Sequence, residues 1–406
     1  MPARADQVSI PAAWVRGGSS NAVFYHEKDV PAEGPLRDRV LKRVMGTPDP
    51  IQIDGLGGSK AVTSKIAIIR PSQRDDADID YIFAQSGVDI DTIDYTANCG
   101  NISSGVGPFA IDEGLVQQFR KGRSLDPKLR TQEVRIFNTG TEKVLISHVP
   151  IDEDGYSVAA GEYTMAAVPG TGAPILMDYR ETVGASRNRG LLPTGNAQDQ
   201  IQVDGKNVNI TVGDIANIEV FVSAEDMGIT GHESAAALTE NRALLDRVRE
   251  VRGKGAQLVF MCKDWQKVDE EAPFLPMLIV VSDPLENEPE SHVSCRLFLD
   301  NMCHESMAGT GSVCTAAMSR TKGSLVYERI NAEARKENVL NIAHPLGIIP
   351  IAVEVEEGTA DTEKPSFSQL SFIRTSRRLM DGKVYVPKSL FEPAENGVNG
   401  VNGHDR

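Results

Sequence analysis

The chain has 406 residues, a net charge of −15 and no block of Lys or Arg, which argues against a general nucleic-acid or anionic-membrane surface. No apolar run approaches the roughly 20 residues of a membrane-spanning helix, and the first fifteen residues lack the apolar stretch of a secretory signal. Five cysteines without a Cys-x-x-Cys pair give little support to a disulfide framework or a structural zinc site, so we expect a cytoplasmic protein without a metal.

Segments rich in β-branched residues alternate with a few helical segments, which predicts a mixed α/β (α+β) fold. In chain order we expect a strand at 62–70, a helix from 101 toward 119, a strand at 134–146, a helix at 233–252, a strand at 277–281 and a helix at 313–321. The Gly-, Pro-, Asn- and Gln-rich stretch at 188–202 is expected to link two halves. The tail from 393 repeats Asn-Gly and is expected to be disordered.

Two short turns, one in each half, are similar to each other. Cys99-Gly100-Asn101 opens a Ser- and Gly-rich turn before a helix of small residues, and Gly309-Thr310-Gly311-Ser312 opens a second one. A duplicated α/β unit would aim two helix N-termini at one cleft, and helix N-termini bind anions through free amide hydrogens and the helix dipole. This pattern favours a ligand with several carboxylates.

Short motifs extend over nearly the whole chain, from about Arg16 to Pro387. They lie at 16–23, 52–59 with 63–66, 98–104, 135–138, 172–174, 193–195 and 374–382. In sequence and order they resemble the motifs of the PrpF-like family, whose fold resembles diaminopimelate epimerase, and especially its aconitate Δ-isomerase and methylaconitate isomerase members. The chain departs from the pattern at Asn21-Ala22, where many relatives have Lys-Gly, and this bears on the choice of substrate.

The resemblance implies two pseudo-symmetric domains, each a curled β-sheet around a central helix, with the active site in the cleft between them. The first domain would comprise residues 1–187 joined by 370–392, the second 188–369, and a disordered tail 393–406. The resemblance also implies a small-molecule polycarboxylate as substrate, no cofactor, and no nucleic-acid or membrane partner. A homodimer is left open.

Family members isomerise methylaconitate, aconitate, 3-methylitaconate or oxalomesaconate, so the resemblance implies an isomerase that shifts a double bond by 1,3-allylic proton transfer. Our leading hypothesis is conversion of cis-aconitate to trans-aconitate, as used in an itaconate pathway. The alternatives are a 2-methylaconitate cis-trans isomerase or a 4-oxalomesaconate tautomerase. An alternative of another class is a non-catalytic accessory protein of an aconitase-like dehydratase.

The family's lysine and cysteine fall on Lys65 and Cys99. Allylic isomerisation needs a base, an acid and a cradle for the negative charge of the dienolate intermediate. Apolar neighbours of Lys65 predict partial burial, which favours the neutral amine that a base requires. Cys99 precedes Gly100 at a helix start, where a thiolate is stabilised. The sequence leaves open which of the two residues is the base.

The second half has Thr310 where a two-cysteine epimerase would have its second thiol, which disfavours a stereoinverting epimerase. His304 could orient a carboxylate or move a proton, and a purely structural histidine is an equal alternative. For carboxylate binding we select residues that offer a guanidinium fork, hydroxyls, amides or close backbone approach. These are Arg16, Ser19, Ser20, Asn21, Asn101, Ser103, His304, Thr310, Gly311, Ser312 and Arg374.

Overall fold

A computed structural model describes residues 6–95, 98–124, 128–165, 167–285, 290–299 and 301–392 of the protein. The predicted disordered tail at 393–406 lies outside these residues. Within the described ranges, no helix combines the length and the apolar content needed to cross a bilayer.

The described residues up to 178 form ten strands and two α-helices. In chain order these are β1 (Gln7–Gly17), β2 (Ser20–His26), α1 (Pro35–Met45), β3 (Lys65–Pro71), β4 (Ile79–Ser86), β5 (Ile93–Asp94), α2 (Gly100–Asp112), β6 (Thr131–Asn138), β7 (Lys143–Pro150), β8 (Tyr163–Thr164), β9 (Thr171–Gly172) and β10 (Ile175–Asp178). Strands β8 and β9 pair only with each other, whereas the other strands belong to one continuous sheet.

The described residues after 178 add ten strands and six α-helices. They are β11 (Asp199–Val203), β12 (Lys206–Ile215), β13 (Asn217–Ser223), α3 (Ala224–Met227), α4 (Ala235–Glu240), α5 (Arg242–Leu258), α6 (Val268–Glu271), β14 (Met277–Ser282), β15 (Val293–Leu299), β16 (Met302–Cys303), α7 (Gly309–Met318), α8 (Leu325–Arg329), β17 (Val339–His344), β18 (Gly347–Val355), β19 (Phe367–Arg374) and β20 (Ser376–Pro387). All ten strands join the sheet of the first half.

Two of the predicted segments are each divided in two. The predicted strand at 134–146 spans the hairpin of β6 and β7, whose turn includes Glu142 at a φ of 55°. The predicted helix at 233–252 contains α4 and α5. Asn241 separates them, because its side chain accepts a hydrogen bond from the backbone N–H of Leu244 and so caps α5.

The other predicted elements are present with shifted ends. Strand β3 begins at Lys65, after a short 3-10 turn at Ala61–Thr63. Helix α2 ends at Asp112, just before Gly114 adopts a positive φ of 67°. Helix α7 begins at Gly309, because the small residues of the predicted turn already form its first turn.

Helices α2 and α7 form the centres of the two halves. Every residue of α7 is buried, and α2 is buried from Ile102 to Ile111. Strands β1, β2, β3, β6, β7 and β20 pack around α2, and strands β12, β13, β18 and β19 pack around α7. A helix that is apolar on all sides is stable only when it is enclosed in this way. The mixed α/β architecture follows from wrapping the sheet around both helices.

The last strands of the chain return to the first half. Strand β20 pairs antiparallel with β1 from Gln7 opposite Pro387 to Gly17 opposite Ser376. Strand β19 lies between β10 and β18, so it hydrogen-bonds to both halves of the chain. The domain boundaries at 187/188 and 369/370 stay a prediction.

A buried carboxyl group lies next to α7. Glu219 on β13 is fully buried, and neither of its oxygens has a hydrogen-bond partner among the described residues. A Cβ atom added at Gly311 of α7 would lie 3.6 Å from Glu219 Oε1. Burial, followed by the nearby charge of Asp214, raises the pKa of Glu219 well above its ordinary value of 4.5. The folded protein therefore holds this side chain in its neutral form.

We expect Glu219 to make the protein less stable as the pH rises above about 4.5, because the unfolded chain then releases a proton that the folded state retains. Each unit by which the pKa is raised corresponds to about 1.4 kcal/mol. Glu219→Gln keeps the shape and cannot ionise, so it should match the wild type near pH 4 and exceed its free energy of unfolding at pH 8. Urea unfolding at both pH values measures this. Exposed Glu357→Gln is the control, and an unchanged pH dependence in Glu219→Gln would contradict the prediction.

Candidate active site

A cleft with a volume of about 470 Å³ lies where the starts of α2 and α7 face each other. A Cβ atom added at Gly100 would come within 3.5 Å of Thr310 Cγ2, which shows how closely the two helix starts approach. Eight of the predicted site residues line this cleft: Ser19, Ser20, Lys65, Cys99, Asn101, His304, Thr310 and Arg374. A larger surface groove of about 810 Å³, lined by 189–195 among others, contains none of them.

Lys65 enters the cleft from the first position of β3. Its side chain is buried, and β3 pairs there with Ala22 on one side and Gln85 on the other. The Nζ atom donates a hydrogen bond to Gln85 Oε1 at 2.5 Å and lies 5.3 Å from the centre of the Phe83 ring. Gln85 Nε2 in turn donates to the carbonyl of Ser64 at 3.0 Å. The amine is therefore held in one position while it lines the cleft.

Cys99 lies directly before α2, with φ and ψ of −114° and 101°. Its carbonyl accepts hydrogen bonds from the backbone N–H and the hydroxyl of Ser103, both at 2.9 Å. The hydroxyl of Ser103 also lies 3.1 Å from Asn98 Oδ1, which accepts a further bond from Asn138 Nδ2 at 3.1 Å. These bonds fix the backbone, whereas the partly exposed thiol lines the cleft at the positive end of the helix dipole.

Helix α7 presents the second helix start. Thr310 Oγ1 accepts a hydrogen bond from Asn217 Nδ2 at 3.1 Å, and both residues line the cleft. The hydroxyl of Ser312 donates to the carbonyl of Ala308 at 3.0 Å, as Ser103 does to Cys99. Gly311 and Ser312, like Ser103, lie behind the lining of the cleft. These three residues therefore support the two helix starts and do not line the cleft themselves.

Arg374 supplies a buried cation at the end of β19. Its Nε atom donates to Asn101 Oδ1 at 3.0 Å, and Nη1 donates to the carbonyl of Ile373 at 2.9 Å. The guanidinium lies 4.3 Å from the centre of the Phe372 ring. A Cβ atom at Gly309 would lie 2.9 Å from Nη2, so the glycine leaves room for the fork. Burial lowers the pKa of Arg374 to about 10, so the group remains charged at neutral pH.

No carboxylate lies within ion-pair distance of Arg374 among the residues that the structure describes. A buried cation that has no protein anion nearby is stabilised by a bound anion, and a guanidinium fork matches a carboxylate in geometry. This makes the surroundings of Arg374 the strongest candidate for a carboxylate position.

The turn between β1 and β2 completes the polar side of the cleft. Asn101 Nδ2 donates to Ser19 Oγ at 3.1 Å. Arg16 does not line the cleft, because its Nη1 atom donates to the carbonyls of Gly18 and Thr375, both at 2.9 Å. Asn21 does not line it either, and its buried Oδ1 atom has no partner. Arg16 thus holds the turn that carries Ser19 and Ser20.

Two histidines line the cleft on the side of the second half. Burial lowers the pKa of His304, and burial followed by nearby positive charges lowers that of His344 to about 4. The Nδ1 atom of His304 accepts the backbone N–H of Ser306 at 3.0 Å, and that of His344 accepts the N–H of Leu346 at 3.2 Å. Each neutral ring therefore carries its proton on Nε2, which makes it a donor for an anionic ligand.

Sequence reasoning missed His344, Gln85 and Asn217. Each reaches the cleft through strand pairing with residues far away in the sequence, and none belongs to a local motif. Among the described residues, no group of three or more His, Cys, Asp and Glu side chains could hold a metal ion.

The site thus combines an amine and a thiol in one cleft with an anion cradle of Arg374, two neutral histidines and two helix starts. The amine and the thiol can each accept or donate a proton. The cradle can stabilise negative charge that develops on carboxylate oxygens. This arrangement suits proton transfer at a carbon next to a carboxylate.

Comparison with known proteins gives a match over almost the whole chain. Residues 7–387 match the family model described as PrpF protein. The chain is 37% identical to a 3-methylitaconate isomerase of Eubacterium barkeri, over 95% of this chain and 99% of the relative. It is 36% identical to a 4-oxalomesaconate tautomerase of Pseudomonas putida, over 95% and 98% of the two chains. A 2-methyl-aconitate isomerase of Shewanella oneidensis is 30% identical over 94% and 98%.

Solved structures confirm the predicted fold class. A crystal structure of methylitaconate-delta-isomerase superposes with a TM-score of 0.80 and 35% identity, covering 99% of this chain and all of the other. A hydroxyproline epimerase from Agrobacterium vitis superposes with a TM-score of 0.51 at 11% identity, covering 96% of this chain and 94% of that one, which is a likeness of fold alone.

Proposed function

We infer, from the premise that this chain belongs to the PrpF family, that it is an isomerase of small unsaturated carboxylates. The relatives named above are isomerases or tautomerases of methylitaconate, methyl-aconitate and oxalomesaconate. These acids all carry a double bond near a carboxylate. The observation that carries the proposal is that Lys65 and Cys99 line one cleft together with the buried cation of Arg374.

We propose 1,3-allylic proton transfer as the reaction. One member of the Lys65–Cys99 pair removes a proton from the methylene carbon next to a carboxylate. The electron pair moves into a dienolate, and the other member then returns a proton to the former vinyl carbon. One carbon–hydrogen bond breaks and one forms, so the reaction needs no oxidant, reductant or cofactor. Hydrogen exchange with heavy water in variants of Lys65 and Cys99 identifies which of the two residues is the base.

The surrounding groups support the dienolate rather than react with it. Arg374 and the amide groups at the start of α7 face the carboxylate oxygens that gain charge. His304 and His344 donate hydrogen bonds as neutral rings, so they place no additional positive charge next to the amine or the thiol. Ser19, Ser20 and Asn101 orient a second carboxylate.

We propose cis-aconitate as the first substrate to test, with trans-aconitate as the product. A proton time course by NMR in heavy water follows both the double-bond shift and deuterium entry at the allylic carbons. The expected result is conversion with deuterium at the former vinyl carbon. The same measurement with 2-methylaconitate, 3-methylitaconate and 4-oxalomesaconate ranks the alternatives within the class.

Absence of any shift or exchange with the whole panel at high protein concentration would overturn the isomerase proposal. The remaining alternative would be an accessory protein of an aconitase-like dehydratase. Such a protein would keep its effect on the dehydratase after replacement of Lys65, whereas an isomerase would lose turnover. Cytoplasmic location and a homodimer stay predictions.

A further inference from the structure

The cleft combines its polar groups with several large apolar side chains. Its volume of about 470 Å³ falls within the range of roughly 300–1,000 Å³ that is typical of pockets for drug-sized ligands. Its polar groups cluster around Arg374 and Lys65. The lining also includes five large apolar residues, Phe274, Leu275, Leu299, Met302 and Ile348, which we call the apolar wall.

Three residues of the apolar wall are unusually exposed. Phe274 is 41%, Met302 51% and Ile348 37% exposed to solvent, although all three face a cleft. Large apolar side chains that line a concave site next to polar groups are typical of ligand contacts. The wall therefore has the character of a surface that a ligand covers.

The position of the wall next to the two histidines indicates what covers it. Met302 lies two residues before His304, and His344 pairs with Gly347, the neighbour of Ile348 in the hairpin of β17 and β18. A ligand whose carboxylate reaches the histidines therefore lies in the same part of the cleft as Met302 and Ile348.

The charges of the cleft agree with such a ligand. Arg374 and Lys65 are the cationic side chains among the described lining residues, and Asp94 adds a negative charge to the same lining. A carboxylate placed against the apolar wall would lose its hydration without a charged partner. A hydrocarbon group at that place gains from burial instead.

We propose that the apolar wall is a subsite for a hydrocarbon substituent, so that among the unsaturated carboxylates of the proposed class the protein prefers those with an alkyl chain longer than methyl. This inference rests on the proposed isomerase function and specifies its substrate class. The carboxylates bind between Arg374, the helix starts and the histidines. The chain extends from the carbon that loses its proton toward Met302 and Ile348.

The test uses a series of 2-methylenesuccinates that carry hydrogen, methyl, propyl or pentyl on carbon 3. Transfer of the proton from carbon 3 to the methylene carbon gives the corresponding 2-methyl-3-alkylmaleate. We expect kcat/KM to rise by about fourfold for each added methylene group until the wall is covered. A flat or falling series with active enzyme would overturn the subsite.

Matched variants separate substituent binding from other roles of the wall. In Met302→Gln and Ile348→Thr, the factor by which kcat/KM rises for each added methylene group should fall toward one. Met380→Gln is the control, because Met380 is equally exposed at 51% and lies outside the cleft. An equal loss of kcat/KM for every acid of the series would overturn the proposal. The wall would then act in closing the cleft and not in binding a substituent.

Binding of saturated 2-alkylsuccinates, followed by calorimetry, tests the subsite without turnover. Affinity that rises with chain length in the wild type and not in Met302→Gln supports the subsite even if no acid is isomerised. If no acid is isomerised but affinity still rises with chain length, the isomerase proposal fails and the subsite proposal stands. Affinity that is independent of chain length overturns the subsite, whatever the outcome of the activity assays.

Discussion

Replacement of Cys99 by serine or Lys65 by methionine should lower kcat by about 10²–10⁴-fold, the usual contribution of a general acid or base. Serine fits the space of Cys99 but is a far weaker acid than a thiol. Methionine keeps much of the length and apolar character of Lys65 but has no proton to exchange. Neither change removes Arg374 or the helix starts, so the acid should still bind. Turnover by NMR and the affinity for a saturated tricarboxylate measure the two effects separately.

The same variants should identify the base. If Lys65 takes the proton from the methylene carbon, Cys99→Ser should still exchange that hydrogen with heavy water while the double bond stays in place. If Cys99 is the base, Lys65→Met should show the exchange instead. Cys303→Ser and Lys60→Met are the controls, since Cys303 is buried outside the lining and Lys60 is exposed in the turn before β3. Full turnover in either catalytic variant would contradict the assignment of the pair.

Replacement of Arg374 by lysine should raise KM about 10–100-fold, with a smaller effect on kcat. Hydrogen bonds to a charged partner contribute about 1.5–3 kcal/mol, and a lysine cannot form the fork that bonds Asn101 and a carboxylate together. A compact ammonium would also lose the stacking of the guanidinium on Phe372. Steady-state kinetics with the best acid of the panel, together with its dissociation constant, gives the split between binding and turnover.

Arg378→Lys is the matched control for Arg374→Lys, because Arg378 follows on β20 and bonds to Glu113 outside the cleft. This variant should keep the KM of the wild type. An unchanged KM in Arg374→Lys would show that the carboxylates bind elsewhere, and the role of the buried cation would then be structural.

Local patterns predicted the parts of the fold that local forces determine. Strand β3 and helices α2 and α7 follow from β-branched runs and from small residues after Ser- and Gly-rich turns. The hairpin of β6 and β7 and the break at Asn241 were missed, because a short turn and a single capping side chain interrupt patterns that otherwise continue.

For the site, sequence reasoning identified the residues that lie in motifs and missed those that arrive by strand register. Gln85 reaches Lys65 across the β3–β4 pairing, and His344 reaches the cleft by way of the β17–β18 hairpin. Arg16 was selected for its fork, yet its Nη1 atom donates to the carbonyl of Gly18, two residues away, and to that of Thr375, 359 residues away. A sequence shows the donors of a side chain, whereas the nearest acceptor depends on the finished fold.

The pairing of β1 with β20 affects the order in which the fold can form during translation. Strand β1 pairs with both β2 and β20, and β20 leaves the ribosome more than 350 residues after β1. Until then the turn carrying Ser19 and Ser20 lacks the Thr375 carbonyl that anchors it, and the guanidinium of Arg374 has not yet been made. Under the proposed mechanism, a nascent chain that already contains Lys65 and Cys99 therefore lacks the buried cation of the cleft until β19 has been made.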